Sequence, residues 1–367
     1  MKLIHCADLH LDSNLNSFLS EEKAKERRNE LLETFFGMVE YALNNDVTGI
    51  IIAGDLFDKK NISATARNAV MNRIVNNPEL DFYYLRGNHD ESGFWGDLEV
   101  LPENLHIFGK EWTAYTLFEK NGRRITINGV ELSKENSGEI YSGLILNAAD
   151  YNIVVLHGQE SENVKKGAQI INLRELKNRS IDYLALGHIH SYKEAALDGR
   201  GVYCYAGCLE GRGFDECGEH GFVVLDIDEE SFTGVREFVS SGGRNLFELE
   251  VDITGCKDSM DISERINTVI EACCYGKNNL VKIILTGAVD VECEVNLDFL
   301  SKHFADEFYY TRIKNDSSYS IDYETFSKDC SLKGEFVRRV MAEDSLNEDE
   351  KAQVIRYGIL ALRGEEI

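Results

Sequence analysis

The chain has 367 residues, 43% of them hydrophobic, which suits one large or two ordinary globular domains. No window approaches the ~18 apolar residues that a membrane helix needs. The 9 cysteines form no CxxC pair, so we expect a cytoplasmic protein without membrane contact, disulfide scaffold or cysteine zinc site. The formal net charge of −25 argues against tight binding of nucleic acid by this chain alone, because DNA affinity comes largely from Lys and Arg at the phosphates.

Strand and helix patterns alternate at the start of the chain. Short apolar runs at 2–6, 47–53 and 82–85 predict buried strands. Apolar residues at three- and four-residue steps predict helices from Ser20 onward and over 63–76. This alternation predicts a parallel α/β core.

The middle of the chain carries a hairpin signal. An Asn-Gly pair at 121–122 stands between apolar runs at 113–118 and 124–127. We therefore expect this part to be more antiparallel. Further strand-like runs follow at 153–156, 183–186, 201–205 and 222–227.

A Ser-Ser-Gly-Gly-Arg segment at 240–244 is the best candidate for a domain boundary, because it is small, flexible and poor in apolar residues. Two helices close the chain, one over 334–343 and one that Asn347 and Glu350 open with a pattern close to a capping box. Between these points strands and helices alternate again, at 246–253, 259–274, 280–285, 296–304 and 308–313.

Five polar clusters each follow directly on an apolar, strand-like run. Because functional groups gather outside the carboxyl ends of strands in an open α/β sheet, we expect these clusters to converge on one cleft. They hold 5 of the 9 histidines together with carboxylate and amide oxygens, which is a donor set without thiolates. The candidate metal ligands are Asp8, His10, Asp55, Asn88, His157, His188 and His190.

These seven groups suffice for two divalent ions if the Asp55 carboxylate bridges them. Two ions ~3.5–4 Å apart can clamp the attacking and leaving oxygens of a phosphoryl transfer, with a hydroxide between them as the nucleophile. His89 is then free to stabilise the transition state or to protonate the leaving alkoxide, and we expect Asp90 to fix its tautomer. A single Asp-x-His or His-x-His would be a weak signal, so the prediction depends on the joint set.

The ordered motifs DLH, AGDLFD, RGNHD, HG and GHIH resemble the five motifs of calcineurin-like metallophosphoesterases. Segment 101–109 further resembles the nuclease subunit of the SbcCD DNA-repair complex, and segment 205–214 resembles the bacterial YhaO-type branch. The resemblance implies a four-layer α/β/β/α catalytic domain at 1–240, a smaller α+β capping domain at 243–333 and a helical tail at 334–367.

Carried over motif by motif, the resemblance implies that His89 is the catalytic histidine and that both ions are manganese, although such ligands also accept Fe, Zn or Co. It also implies DNA as a substrate, an SMC-like ATPase partner of the SbcC/YhaN type that gates DNA access, and a homodimer. The implied ligands are Asp8, His10, Asp55 and His190 for one ion, and Asp55, Asn88, His157 and His188 for the other.

We therefore predict a metal-dependent phosphodiesterase, a DNA exonuclease or endonuclease of the SbcD/YhaO type. Two alternatives stay open: a hydrolase of cyclic nucleotides or other small phosphodiesters, and a largely structural subunit that anchors an ATPase. The tail at 334–367 either docks that partner or packs on its own domain. Two residues depart from the family pattern: Asp12 is a supporting carboxylate or a turn residue, and Arg86 is a phosphate contact or an exposed side chain.

Overall fold

The computed structural model describes residues 1–58, 62–90, 94, 100–133, 136, 140–162 and 169–363. The chain divides into two compact units, Met1–Asn245 (unit 1) and Leu246–Ile367 (unit 2). Among the residues described, no helix is both long and apolar enough to cross a membrane. The last four residues of the predicted tail, 364–367, lie outside the described residues.

The predicted strands 2–6, 47–53 and 82–85 are confirmed as the first three strands. The described strands are β1 (Lys2–Cys6), β2 (Val47–Ala53), β3 (Asp81–Leu85), β4 (Leu105–Ile107), β5 (Thr113–Lys120), β6 (Arg123–Gly129), β7 (Tyr151–His157), β8 (Gln159–Ser161), β9 (Ile170–Asn172), β10 (Tyr183–Gly187), β11 (Lys193–Ala196), β12 (Val202–Tyr205), β13 (Gly218–Asp228), β14 (Thr233–Asp252), β15 (Leu280–Thr286), β16 (Ala288–Asp290), β17 (Tyr310–Asn315) and β18 (Ser318–Ser320). The α-helices are α1 (Glu21–Asn44), α2 (Ala64–Val75), α3 (Leu173–Leu176), α4 (Ser259–Cys273), α5 (Leu297–His303), α6 (Tyr323–Lys328), α7 (Leu332–Met341) and α8 (Glu348–Arg363).

The first sheet of unit 1 has the strand order β14–β13–β1–β2–β3–β4. Strands β1 to β4 are parallel to one another, and Ile50 lies opposite Ile4 on one side and Phe82 on the other. The hydroxyls of Ser20 and Ser63 cap helices α1 and α2, which connect these strands. The predicted parallel α/β core is therefore confirmed.

The second sheet of unit 1 has the order β11–β12–β10–β7–β6–β5. Its outer pairs are antiparallel, and the predicted hairpin turn joins β5 to β6, with φ of 53° at Asn121 and 77° at Gly122. Strands β6, β7, β10 and β12 are parallel, so the expectation of a more antiparallel middle is confirmed for the outer pairs and wrong for the inner strands. Apolar runs mark where strands lie but do not report their direction.

The two sheets of unit 1 pack face to face around one buried core, which Ile51 of the first sheet and Ile127 of the second share. Helix α1 contacts β2 and α2. Leu173 of α3 packs with Leu184 of β10 in a separate cluster. These layers form the α/β/β/α sandwich that the resemblance implies.

Unit 2 is a smaller α+β domain with a helical tail. The second half of β14 pairs in parallel with β15, and β15 pairs with β17. Asn347 and Glu350 form a reciprocal capping box, in which each side chain accepts from the other residue's backbone N–H at 2.9 Å. Inside unit 2 the tail helices bury a small cluster made of Val291, Phe326, Val337, Ile355 and Ile359.

The 240–244 segment is not the flexible linker that its composition suggests. It lies inside β14, and the boundary between the units comes just after it, at Asn245. Pairing within a sheet satisfies the backbone groups of such a segment, and this outweighs its weak local preference for strand. The division into three parts at 1–240, 243–333 and 334–367 stays a prediction.

Candidate metal centre

The predicted site residues lie at the carboxyl ends of parallel strands from both sheets of unit 1. Clusters after β1, β2 and β3 come from the first sheet, and clusters at the ends of β7 and β10 come from the second. Contacts described below connect all seven candidate ligands. Four of them have a left-handed backbone, with φ of 53° at Asp8, 45° at His10, 51° at Asp55 and 107° at His188. Such conformations are uncommon for non-glycine residues and cost of order 1–3 kcal/mol each.

Gly54 allows one of the loops to approach the site closely. Its φ is 98°, and a Cβ at this position would lie only 2.1 Å from Nδ1 of His157. A side chain would therefore displace the imidazole. The glycine between β2 and Asp55 is required by both its backbone conformation and this contact.

We call Asp8, His10 and His190 the Asp8 side of the site. The Nε2 atoms of His10 and His190 face each other at 3.3 Å. Both carboxylate oxygens of Asp8 accept from the backbone N–H of His188, at 3.0 and 2.9 Å. Asp8 is fully buried, and this burial raises its pKa to about 6 although neighbouring histidines oppose the shift.

We call Asn88, His157 and His188 the Asn88 side. Oδ1 of Asn88 lies 3.0 Å from Nε2 of His157 and 3.1 Å from Nδ1 of His188. Nδ1 of His157 lies 2.9 Å from the carbonyl oxygen of Ala53 and donates to it, so Nε2 faces the site. Burial opposes protonation of His157, but the hydrogen bond and charge of Asp55 outweigh it and raise the pKa of His157 to about 9.

Asp55 lies between the two sides. Its Oδ2 is 3.8 Å from Nε2 of His10 and 3.3 Å from Nε2 of His157. Burial opposes ionisation, yet the hydrogen bond and charge of His157 hold the pKa of Asp55 well below its usual range.

The donors at this site fit divalent cations. Ligand atoms of Asp8, His10 and His190 lie within 4.8 Å of one another, as do those of Asp8, Asp55 and His157. Imidazole nitrogens that face each other beside buried carboxylates are the arrangement a cation would bridge.

His89 contacts Asp58 and not Asp90. Nδ1 of His89 lies 3.1 Å from Oδ1 of Asp58, and the His89 side chain is 46% exposed. The expected contact between Asp90 and His89 is therefore wrong, because neighbouring side chains in this turn point to different partners. The buried Asp90 carboxylate instead accepts, at 3.0–3.1 Å, from the backbone N–H groups of Leu56, Phe57 and Gly87.

Two carboxylates that our sequence analysis did not single out support the histidines of the Asp8 side. Oδ1 of Asp58 lies 3.2 Å from Nδ1 of His10, and Oε1 of Glu216 lies 2.7 Å from Nδ1 of His190. The Glu216 hydrogen bond fixes which ring nitrogen of His190 faces the centre, whereas Nδ1 of His10 lies beside Asp58 without a hydrogen bond to a described residue. Asp58 ends the AGDLFD motif and could have been found there, whereas Glu216 lies in a loop without any periodic pattern.

A buried ion pair anchors the loop that carries Arg212 and Glu216. Arg27 of α1 is 1% exposed and donates to Oε1 of Glu210 at 2.5 Å and to the carbonyl oxygen of Gly211 at 2.9 Å. Nη2 of Arg212 then donates to Oε1 of Glu216 at 2.7 Å. This chain of contacts connects α1 to the carboxylate behind His190.

The two departures from the family pattern have defined partners. Oδ2 of Asp12 accepts from the backbone N–H of Ser63 at 2.9 Å, and Asp12 has a φ of 64°, so it acts as a turn residue that joins two loops. Nε and Nη2 of Arg86 each donate to Glu131 at 2.6 Å. Arg86 is thus held in a fixed position and is not a loose surface side chain.

Together, the four-layer sandwich and the two donor groups around Asp55 define a phosphoesterase that works at a pair of divalent metal ions. The model of the calcineurin-like phosphoesterase family matches residues 1–192. The chain belongs to this family, and its class of reaction is phosphoester hydrolysis.

Relatives extend the similarity beyond that match. The uncharacterized metallophosphoesterase YhaO of Bacillus subtilis is 28% identical over 297 residues, covering 78% of this chain and 72% of that protein. The DNA double-strand break repair protein Mre11 of Sulfolobus acidocaldarius is 25% identical over 218 residues, 56% of this chain and 54% of that protein. The chain thus spans about half the length of this Mre11. A solved dimetal phosphatase from Danio rerio aligns with 12% identity and a TM-score of 0.42 over 66% of this chain and 96% of that one.

Proposed function

We propose that this chain is a metal-dependent phosphodiesterase that acts on DNA, as an exonuclease or endonuclease of the SbcD/YhaO type. The observation that carries the proposal is the position of Asp55 between two donor groups, with the exposed His89 beside them. Similarity to Mre11, a DNA double-strand break repair protein in Sulfolobus acidocaldarius, supports DNA as the substrate.

The residues of the two sides would hold the ions, and we propose manganese for both. When bound, two such ions supply Lewis acidity at the phosphoryl oxygens and lower the pKa of a bound water. The proposed ligands are Asp8, His10, Asp55 and His190 for one ion and Asp55, Asn88, His157 and His188 for the other.

We propose His89 as the residue that moves a proton. Nδ1 of His89 faces Oδ1 of Asp58 at 3.1 Å, so Nε2 is the nitrogen available to a substrate. A protonated His89 can donate from Nε2 to the oxygen of the leaving group. After this transfer the uncharged His89 can take up a new proton from solvent, because almost half of its side chain is exposed.

DNA binding by a chain of net charge −25 requires help, and we propose an SMC-like ATPase of the SbcC/YhaN type as the partner, together with a homodimer. Helix α8 buries Ile355 and Ile359 in its own unit, while Val354, Tyr357 and Leu362 are 39–50% exposed. We propose these three exposed side chains as the docking face. Tyr357→Asp should then weaken capture of the ATPase without changing hydrolysis of a small diester.

The variant His89→Ala tests the proposed function. Loss of a positioned proton donor should lower kcat on single-stranded DNA and on bis-p-nitrophenyl phosphate by ~10²–10⁴-fold, while manganese content stays at the wild-type level. A matched control is His106→Ala, since His106 also pairs with an aspartate, Asp81, at 2.8 Å but lies elsewhere. Wild-type rates in the His89 variant would refute the assigned role. A wild-type protein that cleaves cAMP far faster than DNA would instead favour the small-substrate alternative.

A further inference from the structure

A cavity of about 370 Å³ adjoins the Asn88 side of the site. Asn88 and His157 belong to both its wall and the metal centre. Other residues form the remainder of the wall and have no role in the chemistry described above. These are Arg86, Gly87, Asp90, Lys110, Glu131, Leu132, Ser133 and Gln169.

The Arg86 side chain in the wall of this cavity is held in place by a buried carboxylate. Glu131 is 8% exposed and accepts both Nε and Nη2 of Arg86 at 2.6 Å, which fixes the plane of the guanidinium. Nη1 of Arg86 makes no hydrogen bond to any described residue and can still donate. Lys110 brings a second positive charge to the same wall.

The same wall is also braced by one amide side chain. Nδ2 of Asn136 donates to the carbonyl oxygen of Glu131 at 2.8 Å and to that of Lys110 at 3.2 Å. Oδ1 of Asn136 accepts from the backbone N–H of Ser133 at 2.8 Å. The cavity therefore has a wall that is organised before any ligand enters.

We propose that this cavity is a nucleotide subsite, which holds one nucleotide next to the scissile phosphate and in which Arg86 contacts the phosphate on the far side of that nucleotide. The inference rests on the proposed function. The volume lies at the lower end of the range for small-molecule pockets, which suits a single nucleotide and excludes a duplex. A fixed guanidinium with free N–H groups is suited to a phosphate.

The subsite predicts a preference that can be measured with four synthetic diesters. Two are p-nitrophenyl esters of thymidine 5′-phosphate, with and without a 3′-phosphate; two are the corresponding esters of thymidine 3′-phosphate, with and without a 5′-phosphate. For one of the two polarities, the extra phosphate should raise kcat/KM of the manganese-loaded wild type by ~10-fold or more, as expected for a charge-assisted hydrogen bond. The polarity that responds shows which side of the nucleotide enters the cavity.

Arg86→Gln should bring this ratio of kcat/KM values close to one. Glu131→Gln should lower this ratio less than Arg86→Gln does. The Arg86 side chain is still present in the Glu131 variant, although its orientation is no longer fixed. A ratio is independent of the amount of folded protein, so a partly unfolded variant still gives a result. Arg124→Gln is a matched control, since Arg124 also pairs with a buried aspartate, Asp150, but away from the cavity, and it should keep the wild-type ratio.

Two outcomes contradict the inference, and they can be told apart. If the wild type hydrolyses bis-p-nitrophenyl phosphate but shows no gain from the extra phosphate in either polarity, or keeps its gain in Arg86→Gln, the subsite is wrong and the proposed function stands. If the manganese-loaded wild type hydrolyses none of the diesters, the proposed function is wrong and the subsite with it.

Discussion

On the Asp8 side of the centre both histidines have a carboxylate behind them: Asp58 lies 3.2 Å from Nδ1 of His10, and Glu216 lies 2.7 Å from Nδ1 of His190. On the Asn88 side the buried histidine, His157, donates instead to a neutral backbone carbonyl at 2.9 Å. The side chains that would bind the ions directly show the same difference in charge. The Asp8 side contributes a carboxylate of its own, and the Asn88 side contributes an amide oxygen.

This difference indicates that the two sides of the centre have different functions. A carboxylate behind an imidazole raises the basicity of the ligand and fixes its orientation. We therefore expect the Asp8 side to bind its ion more tightly. The Asn88 side has fewer charges and opens onto the cavity that Arg86 lines, so we expect a substrate to approach the centre from this side.

Asp55→Asn should have the largest effect, because it removes the negative charge that both sides share. We expect activity to fall by more than ~10³-fold, because hydrolysis depends on the charge stabilisation that the two ions provide together. Bound manganese should fall below one ion per chain. Elemental analysis after gel filtration measures this, with Asp228→Asn, an exposed turn carboxylate, as the control. Two tightly bound ions in the Asp55 variant would show that Asp55 does not connect the sides.

Arg27→Met should destabilise the loop behind the Asp8 side. Glu210, which is 2% exposed, would be left without its cation, and an uncompensated buried charge costs ~3–5 kcal/mol in the free energy of unfolding. Urea titration measures the change. The double variant Arg27→Met, Glu210→Met should recover most of the loss.

The control is Lys177→Met, which breaks an exposed ion pair with Glu162 and should cost ~0–1 kcal/mol. Equal losses for Arg27→Met and Lys177→Met would contradict this role.

The metal-free protein should lose stability as the pH rises. The pKa of His157 in the folded state, about 9, lies above its ordinary value of 6.5, so protonation stabilises the fold fully below pH 6.5 and this contribution disappears as the pH rises through 9. The expected loss is ~3–4 kcal/mol. Urea titrations in EDTA measure it against His157→Gln, which should lack this part of the dependence. Manganese should reverse the trend, because its ligands must be deprotonated.

Glu216→Gln should have the smallest of these effects and should act on one side only. Loss of the carboxylate behind His190 should weaken the tighter manganese site by ~10–100-fold and leave the weaker site unchanged. Calorimetric titration with manganese resolves the two steps, with the exposed Glu219→Gln as the control. An equal loss at both sites would contradict the division between the sides.

Much of this site could be predicted because its ligands follow directly on strands whose apolar runs are local signals. The residues after 2–6, 47–53 and 82–85 could be placed at one sheet edge from the amino-acid sequence alone. The partners behind the ligands could not. Glu216 reaches His190 from a loop 26 residues further along the chain, and no local pattern marks such a contact.

Two wrong predictions from the sequence have the same cause, which is contacts between residues that lie far apart in the chain. Asp90 stands next to His89 in sequence, but its carboxylate is taken by backbone N–H groups that include those of Leu56 and Phe57 in another loop. The 240–244 segment has the composition of a linker, but it lies within a long strand of the first sheet. In both cases partners that lie far away in sequence outweigh local preference.

The most direct test of the centre is anomalous diffraction from crystals grown with manganese. Two peaks ~3.5–4 Å apart, on either side of the Asp55 carboxylate, are the expected result, with His10 and His190 at one and His157 and His188 at the other. A single peak, or peaks that do not share Asp55, would contradict the two-ion site.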